Sequence, residues 1–172
     1  MSMIELLRNR RSIRKYSDQT VEPEKIKLLK EAALRSPTSK NNKPCTFIFV
    51  TDSELMDFLS TSKKHGAAFL KGAKLGVVVC ADETKSDVWV EDCSIASILL
   101  QLTAQSLGLG SCWVQIRKRQ HNNELSAEGY IKSLLKLPSN FRVESIIGLG
   151  YPAETRKPVS NDELDFGKIQ DR

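Results

Sequence analysis

A chain of 172 residues, 40 % hydrophobic and 27 % charged, has the length and makeup of one folded domain with a substantial core. No apolar run approaches the roughly 18 residues that span a bilayer, and the N-terminus lacks a signal-peptide core, so a cytoplasmic location is expected. Net charge is +5, yet 21 acidic residues lie among 26 basic ones and only 6 % are aromatic, which argues against a nucleic-acid surface.

In chain order, residues 2–9 suit a short helix that runs into a basic stretch. Residues 21–37, "VEPEKIKLLKEAALRSP", predict a helix with Pro23 in its first turn, Ile26, Leu29 and Ala33 on one face, and Pro37 at its end. "SPTSKNNKP", 36–44, is a polar loop bounded by prolines. "TFIFVT", 46–51, predicts a strand, and "SELMDFLSTSKKH", 53–65, an amphipathic helix opened by Ser53. "KLGVVVCAD", 74–82, has the continuous apolar character of a strand buried on both faces.

Residues 87–110 carry the longest helical signal. After Asp92 the segment is almost apolar all round, with Ile95, Ile98, Leu99, Leu100, Leu102 and Leu107 covering every side. Such a helix must be enclosed; a small single domain can enclose one helix, but a second subunit is an equally natural cover, and a homodimer is expected. "SCWVQI", 111–116, predicts a strand, "SAEGYIKSLLKLP", 126–138, a helix, and "RVESIIGLGYP", 142–152, a buried strand. The result is one α+β domain over 1–172, with 152–172 a charged, extended C-terminal tail.

Four stretches are candidates for chemistry. Arg10, Arg11, Ser12 and Arg14 place three forked cations and a hydroxyl within five positions, which suits a small-anion cradle as well as a solvated basic face. The loop 36–44 holds Ser36, Thr38, Ser39, Asn41 and Asn42, able either to cap and turn or to face a flat polar ligand. The glycines of "GLGSCWVQIRK", 108–118, match neither a dinucleotide fingerprint nor a P-loop. Gly110 there either ends a helix or lets backbone approach closely, and Trp113 is core or a ligand shelf. Arg156 and Lys157 reach the N-terminal cluster only if the tail folds back. The cysteines at 45, 80, 93 and 112 have no metal-ligand spacing, and His65 and His121 stand alone. Neither a metal site nor a catalytic triad of side chains is expected.

In this order, "RRSIRKY", "SPTSKNN-KP", the long helix running into "GLGSCW", and "IIGLGYPAE-RKP" resemble the nitroreductase family of flavin enzymes over nearly the whole chain. The resemblance implies a three-layer α+β fold: a central mixed, mostly antiparallel sheet flanked by helices, with the long apolar helix at a dimer interface. It implies FMN at that interface and NADH or NADPH as electron donor. Arg10, Ser12 and Arg14 would hold FMN, with Arg11 nearby; Pro37, Thr38, Ser39 and Asn41 would reach it from the partner subunit. Trp113, Val114, Gln115 and Ile116 would run beside the isoalloxazine ring, and Arg156 and Lys157 would complete the phosphate site.

The implied chemistry is ping-pong: a hydride passes from NAD(P)H to flavin N5, then electrons pass to an organic acceptor such as a nitroaromatic or quinone, with no catalytic side chain. A non-catalytic flavin-binding or sensor protein is the competing reading. Lys43-Pro44-Cys45 replaces the Gln-Pro-Trp of many relatives. Arg117, Lys118 and Arg119 add positive charge that would suit an anionic substrate or the extra phosphate of NADPH, unless it is simply solvated.

Overall fold

The structure, a computed structural model, describes residues 2–172. Its centre is a four-stranded sheet of β1 (Cys45–Val50), β2 (Leu75–Asp82), β3 (Gly110–Gln115) and β4 (Phe141–Gly150), in the order β1-β2-β4-β3. All three pairings are antiparallel. The expected mixed, mostly antiparallel sheet is thus antiparallel throughout, and among the described residues the one parallel feature is an isolated bridge between Ser12 and Ser111.

Among the described residues, five α-helices flank the sheet: α1 (Met3–Asn9), α2 (Pro23–Leu34), α3 (Ser53–Ser60), α4 (Trp89–Ser106) and α5 (Ala127–Leu134). Side chains alternate across a strand, so each central strand feeds two cores. On β2, Leu75, Val77, Val79 and Ala81 pack with Leu29 and Ala33 of α2 and Cys93, Leu100 and Ala104 of α4. Val78 and Cys80 point the other way, into a core with Met56 and Leu59 of α3 and Ile131 of α5. This double burial explains the unbroken apolar run at 74–82.

On β4 the register shifts opposite Val79 and Cys80, where Ser145 and Val143 are their partners and Glu144 is the extra residue. The bulge lets Val143 and Ile146, three positions apart, share one face. It leaves the Glu144 carbonyl accepting from both the Ile116 and Arg117 N–H groups at 3.1 Å.

Helix ends follow from local chemistry. Ser2 and Glu5 form a capping box at α1, and Ser126 caps α5. Helix α3 is capped by Asp52, whose side chain accepts from Leu55 N–H, so Ser53 is its first residue rather than its cap. Gly108, at φ +76°, takes the left-handed conformation that stops α4. Of the α4 residues expected to cover every side, Leu100 is fully buried, while Ile95 and Ile98 are 39 % and 38 % exposed. No helix among the described residues is long and apolar enough to cross a membrane.

Candidate functional site

Between α1 and the rest of the chain, residues 10–16 meet the start of β3 at Ser111 and then cross to the end of β4, where Tyr16 bridges Pro152. The Ile13 N–H donates to the Ser111 carbonyl at 3.0 Å. Ile13, 8 % exposed, is seated over Gly110, where a Cβ would lie 2.8 Å from its side chain. Gly110 therefore permits a close approach, and Gly108 supplies the helix stop. Alternation along this segment separates the expected cluster. Arg11 and Ile13 line a groove of about 230 Å³ with Gly108, Gly110 and Arg156. Arg10, Ser12 and Arg14 act instead on Cys112: burial pushes that thiol up, while the Arg14 charge, the Ser12 hydroxyl and the Arg10 charge pull it back.

Lys63, just after α3, joins this second set, since it also acts on Cys112. Burial and the neighbouring Arg119 hold Lys63 below its usual value. Among the described residues, none of Arg10, Arg14, Lys63 and Arg119 forms an ion pair with a carboxylate. Such a group of unpaired cations is an arrangement that an anion would stabilise. Lys63 was not legible in the sequence, because a lysine in "TSKKHG" looks like any solvated loop charge.

The tail does fold back. Ala153 N–H donates to the Lys15 carbonyl at 2.9 Å, and the Glu154 carboxylate accepts from the Arg14 and Lys15 N–H groups at 2.7 and 3.2 Å. Arg11 donates to the Lys157 carbonyl. The Arg156 guanidinium, however, pairs with Glu154 at 2.9 Å and lies on the Arg11 side. The structure brings Arg156 and Lys157 to the basic stretch but engages Arg156 with a carboxylate already.

On β3 and the residue that follows it, the four expected residues divide by parity. Val114 and Ile116 are fully buried, so their side chains belong to the core. Trp113 and Gln115 share the opposite face, where Trp113 Nε1–H donates to Gln115 Oε1 at 2.9 Å and Gln115 Nε2–H donates to Glu144 Oε1 at 3.2 Å. Because the Ser111 carbonyl points outward to Ile13, the main-chain groups of Trp113 and Gln115 point outward too. β3 is an edge strand, so those groups offer hydrogen bonds to whatever lies along it.

The loop 36–44 is built around strained backbone. Lys40, Asn41 and Lys43 have φ of 49°, 57° and 48°, in the left-handed region that costs a lysine about 1 kcal/mol or more. Thr38 Oγ1 accepts from Lys43 N–H at 3.0 Å. Ser39 N–H donates to Asp92 Oδ1 at 2.8 Å, and Ser86 Oγ–H donates to Asp92 Oδ2 at 3.0 Å. Asp92, 2 % exposed in the first turn of α4, is the anchor of this loop. Its signal in the sequence was a carboxylate opening an otherwise apolar helix.

The loop and the basic stretch sit at opposite ends of α4. Ser39 is tied to Asp92, whereas Ser12 is bridged to Ser111 beyond the stop of the helix. From Asp92 to Leu107, at about 1.5 Å per residue, the separation along the axis is roughly 22 Å. A single flavin ring cannot touch both places within one chain.

The sequence profile described as the nitroreductase family matches residues 7–74 and 58–151. A structure of an FMN-dependent nitroreductase from Clostridium difficile R20291 is 46 % identical, with a TM-score of 0.96 and 97 % of each chain covered. An Archaeoglobus fulgidus protein, named as a candidate NADH dehydrogenase/NAD(P)H nitroreductase, is 35 % identical over 98 % of this chain and 91 % of its own. A candidate nitroreductase from Desulfovibrio desulfuricans, solved in complex with FMN, is 26 % identical with a TM-score of 0.75 and 96 % of each chain covered. The chain belongs to the nitroreductase family.

Proposed function

We propose that this protein is an FMN-dependent oxidoreductase that takes electrons from NADH or NADPH and delivers them to an organic acceptor such as a nitroaromatic or quinone. The observation that carries the reading is a set of cations without ion pairs at the exposed side of β3: Arg10 and Arg14 flank Ser12, which bridges to Ser111, and Lys63 and Arg119 adjoin the Lys64–Gln120 backbone hydrogen bond. FMN fits that donor set: its phosphate suits Arg10, Ser12 and Arg14, and the polar edge of its ring suits the outward main chain of Trp113 and Gln115. Bound FMN would supply hydride and electron transfer in a ping-pong order.

The chain's own contribution is binding and electrostatics. Positive charge and N–H donors fixed in advance stabilise negative charge on a bound ring without reorganising. Val114 and Ile116 hold the strand by filling the core beneath it, and Tyr16 locks the extended segment through its phenol, which donates to the Ile13 carbonyl at 2.6 Å. Burial keeps that phenol protonated. Arg11 and Arg156 steady the tail against the segment rather than facing the cation set.

The functional unit in this reading is a homodimer. Pro37, Thr38, Ser39 and Asn41 lie a helix length from Arg10 and Ser12, so they serve a flavin held by the partner. Ile95 and Ile98 on α4, Ile4 and Leu7 on α1, and Leu164 and Phe166 on the tail are exposed apolar side chains that a second copy would cover. The visible spectrum of the purified protein, followed by anaerobic NADH and then NADPH, tests the proposal. A yellow protein that bleaches with either donor is the expected result. A yellow protein that bleaches with neither supports a flavin-binding or sensor role instead, and a colourless protein that takes up no FMN overturns both.

A further inference from the structure

Cys45 opens β1 immediately after the polar loop, and its sulfur lies 3.6 Å from that of Cys93 on α4. The two residues are 48 positions apart, so the fold alone brings these thiols together. Cys80 and Cys112 are buried, and Cys80 packs into the core on the other face of the sheet. We propose that Cys45 and Cys93 form a peroxide-reactive dithiol, a redox-modification site at the root of the loop 36–44.

Three features support the site. The first is proximity: closing the gap to a bond of about 2.05 Å needs roughly 1.5 Å of sulfur movement. The second is access. Cys45 is only half-buried and lines a groove of about 370 Å³ with Lys30, Leu34, Phe47 and Phe49 along the edge strand. A small neutral oxidant such as hydrogen peroxide enters a groove of that size and character. The third is a division of roles. Cys93, fully buried, is held protonated by its hydrogen bond to Cys45 and by burial, and that hydrogen bond in turn eases ionisation of Cys45. Asp92, one residue away, works against that ionisation, so the hydrogen bond is its principal support. The thiolate is the nucleophile in such chemistry.

The step balances with peroxide as the oxidant. The Cys45 thiolate attacks one peroxide oxygen, the O–O bond breaks, and a sulfenic acid and hydroxide form. The Cys93 sulfur then attacks Cys45 sulfur, and the sulfenic oxygen leaves as water with the Cys93 proton. Two thiols lose two electrons, and peroxide is reduced. The bridge joins the end of the flavin-side loop to the residue beside Asp92, which anchors that loop through Ser39.

The test is hydrogen peroxide titration of the full chain, with thiols counted under denaturing conditions and unreduced peptides mapped by mass. The expected result is loss of two of the four thiols, a cross-linked peptide pair lighter by two hydrogens that carries Cys45 and Cys93, and full recovery with dithiothreitol. Cys45 should be consumed at least tenfold faster than Cys80 or Cys112. Cys45→Ser should abolish the bridge while the far-ultraviolet spectrum is unchanged. Cys93→Ser should stop Cys45 at a sulfenic acid that dimedone traps. Four intact thiols, over-oxidation of Cys45 without a bridge in the unsubstituted protein, or a bridge to any other cysteine would overturn the proposal. None of these readouts depends on bound flavin, so the outcome is independent of the enzyme reading.

Discussion

Replacing Asp92 by alanine removes a carboxylate that holds two donors, and the structure sets the size of both consequences. Ser39 N–H and Ser86 Oγ–H each lose a charge-assisted hydrogen bond, and Ser86 is itself buried. Hydrogen bonds to charged groups are worth about 1.5–3 kcal/mol each, part of which water recovers at the loop, so a loss of about 3 kcal/mol in unfolding free energy is expected. The second consequence falls on the loop. Without the Asp92 contact, Lys40 and Lys43 relax out of the left-handed region, and binding FMN must then restore it at about 1 kcal/mol per residue. That total of about 2 kcal/mol corresponds to roughly thirtyfold weaker FMN. Urea unfolding gives the first quantity and flavin fluorescence titration at a permissive urea-free condition gives the second. If stability falls but FMN affinity is unchanged, the loop does not contribute to the site. If neither moves, the anchoring role of Asp92 is wrong.

Arg14→Ala, which removes a cation from the unpaired set, is expected to weaken FMN by roughly 10- to 100-fold with no change in the unfolding midpoint, measured by the same titration. Gly110→Ala places a methyl 2.8 Å from Ile13 and should cost about 1–3 kcal/mol in urea unfolding as the extended segment lifts from β3. Ile98→Glu puts a charge on the exposed apolar face of α4; light scattering should show a shift from dimer to monomer together with loss of FMN retention. Glu144 is nearly buried, one of its oxygens lacks a partner, and burial raises its carboxyl above the ordinary 4.5 despite the Gln115 hydrogen bond and Arg117. A raised carboxyl destabilises the fold wherever it is ionised, at pH above its folded value, and that cost fades as pH falls toward 4.5. Glu144→Gln should therefore be more stable than the natural protein at neutral pH, and urea midpoints of the two should converge in acid; equal midpoints at all pH values would refute the assignment.

Periodicity made the elements legible, because a strand buried on two faces and a helix apolar all round leave unmistakable patterns at 74–82 and 93–107. What it did not reveal was direction. "RRSIRKY" looks like one cluster, yet extended backbone sends Arg10, Ser12 and Arg14 one way and Arg11 the other. The run 113–116 looks like one ligand-facing stretch, but pleating gives half of it to the core. The bulge at Glu144 arises from pairing across more than 60 residues, and the tertiary pairs Ser39–Asp92 and Cys45–Cys93 from contacts across about 50, which no local spacing records.

Helix α4 connects these observations. Its first turn fixes the loop that carries Thr38 and Ser39, and its stop at Gly108 delivers the chain to Ser111, against which the basic stretch is seated. Its middle leaves Ile95 and Ile98 uncovered between those two ends. Two copies crossing antiparallel at that middle would bury both isoleucines and bring the loop end of one helix toward the basic end of the other, so that one contact completes two sites. Dimerisation and flavin binding are then a single linked equilibrium: FMN should tighten the dimer, and dilution should release FMN. Sedimentation at a series of protein concentrations, with and without FMN, would measure the linkage, and a dimer constant indifferent to FMN would separate the two events and return the loop to a structural role.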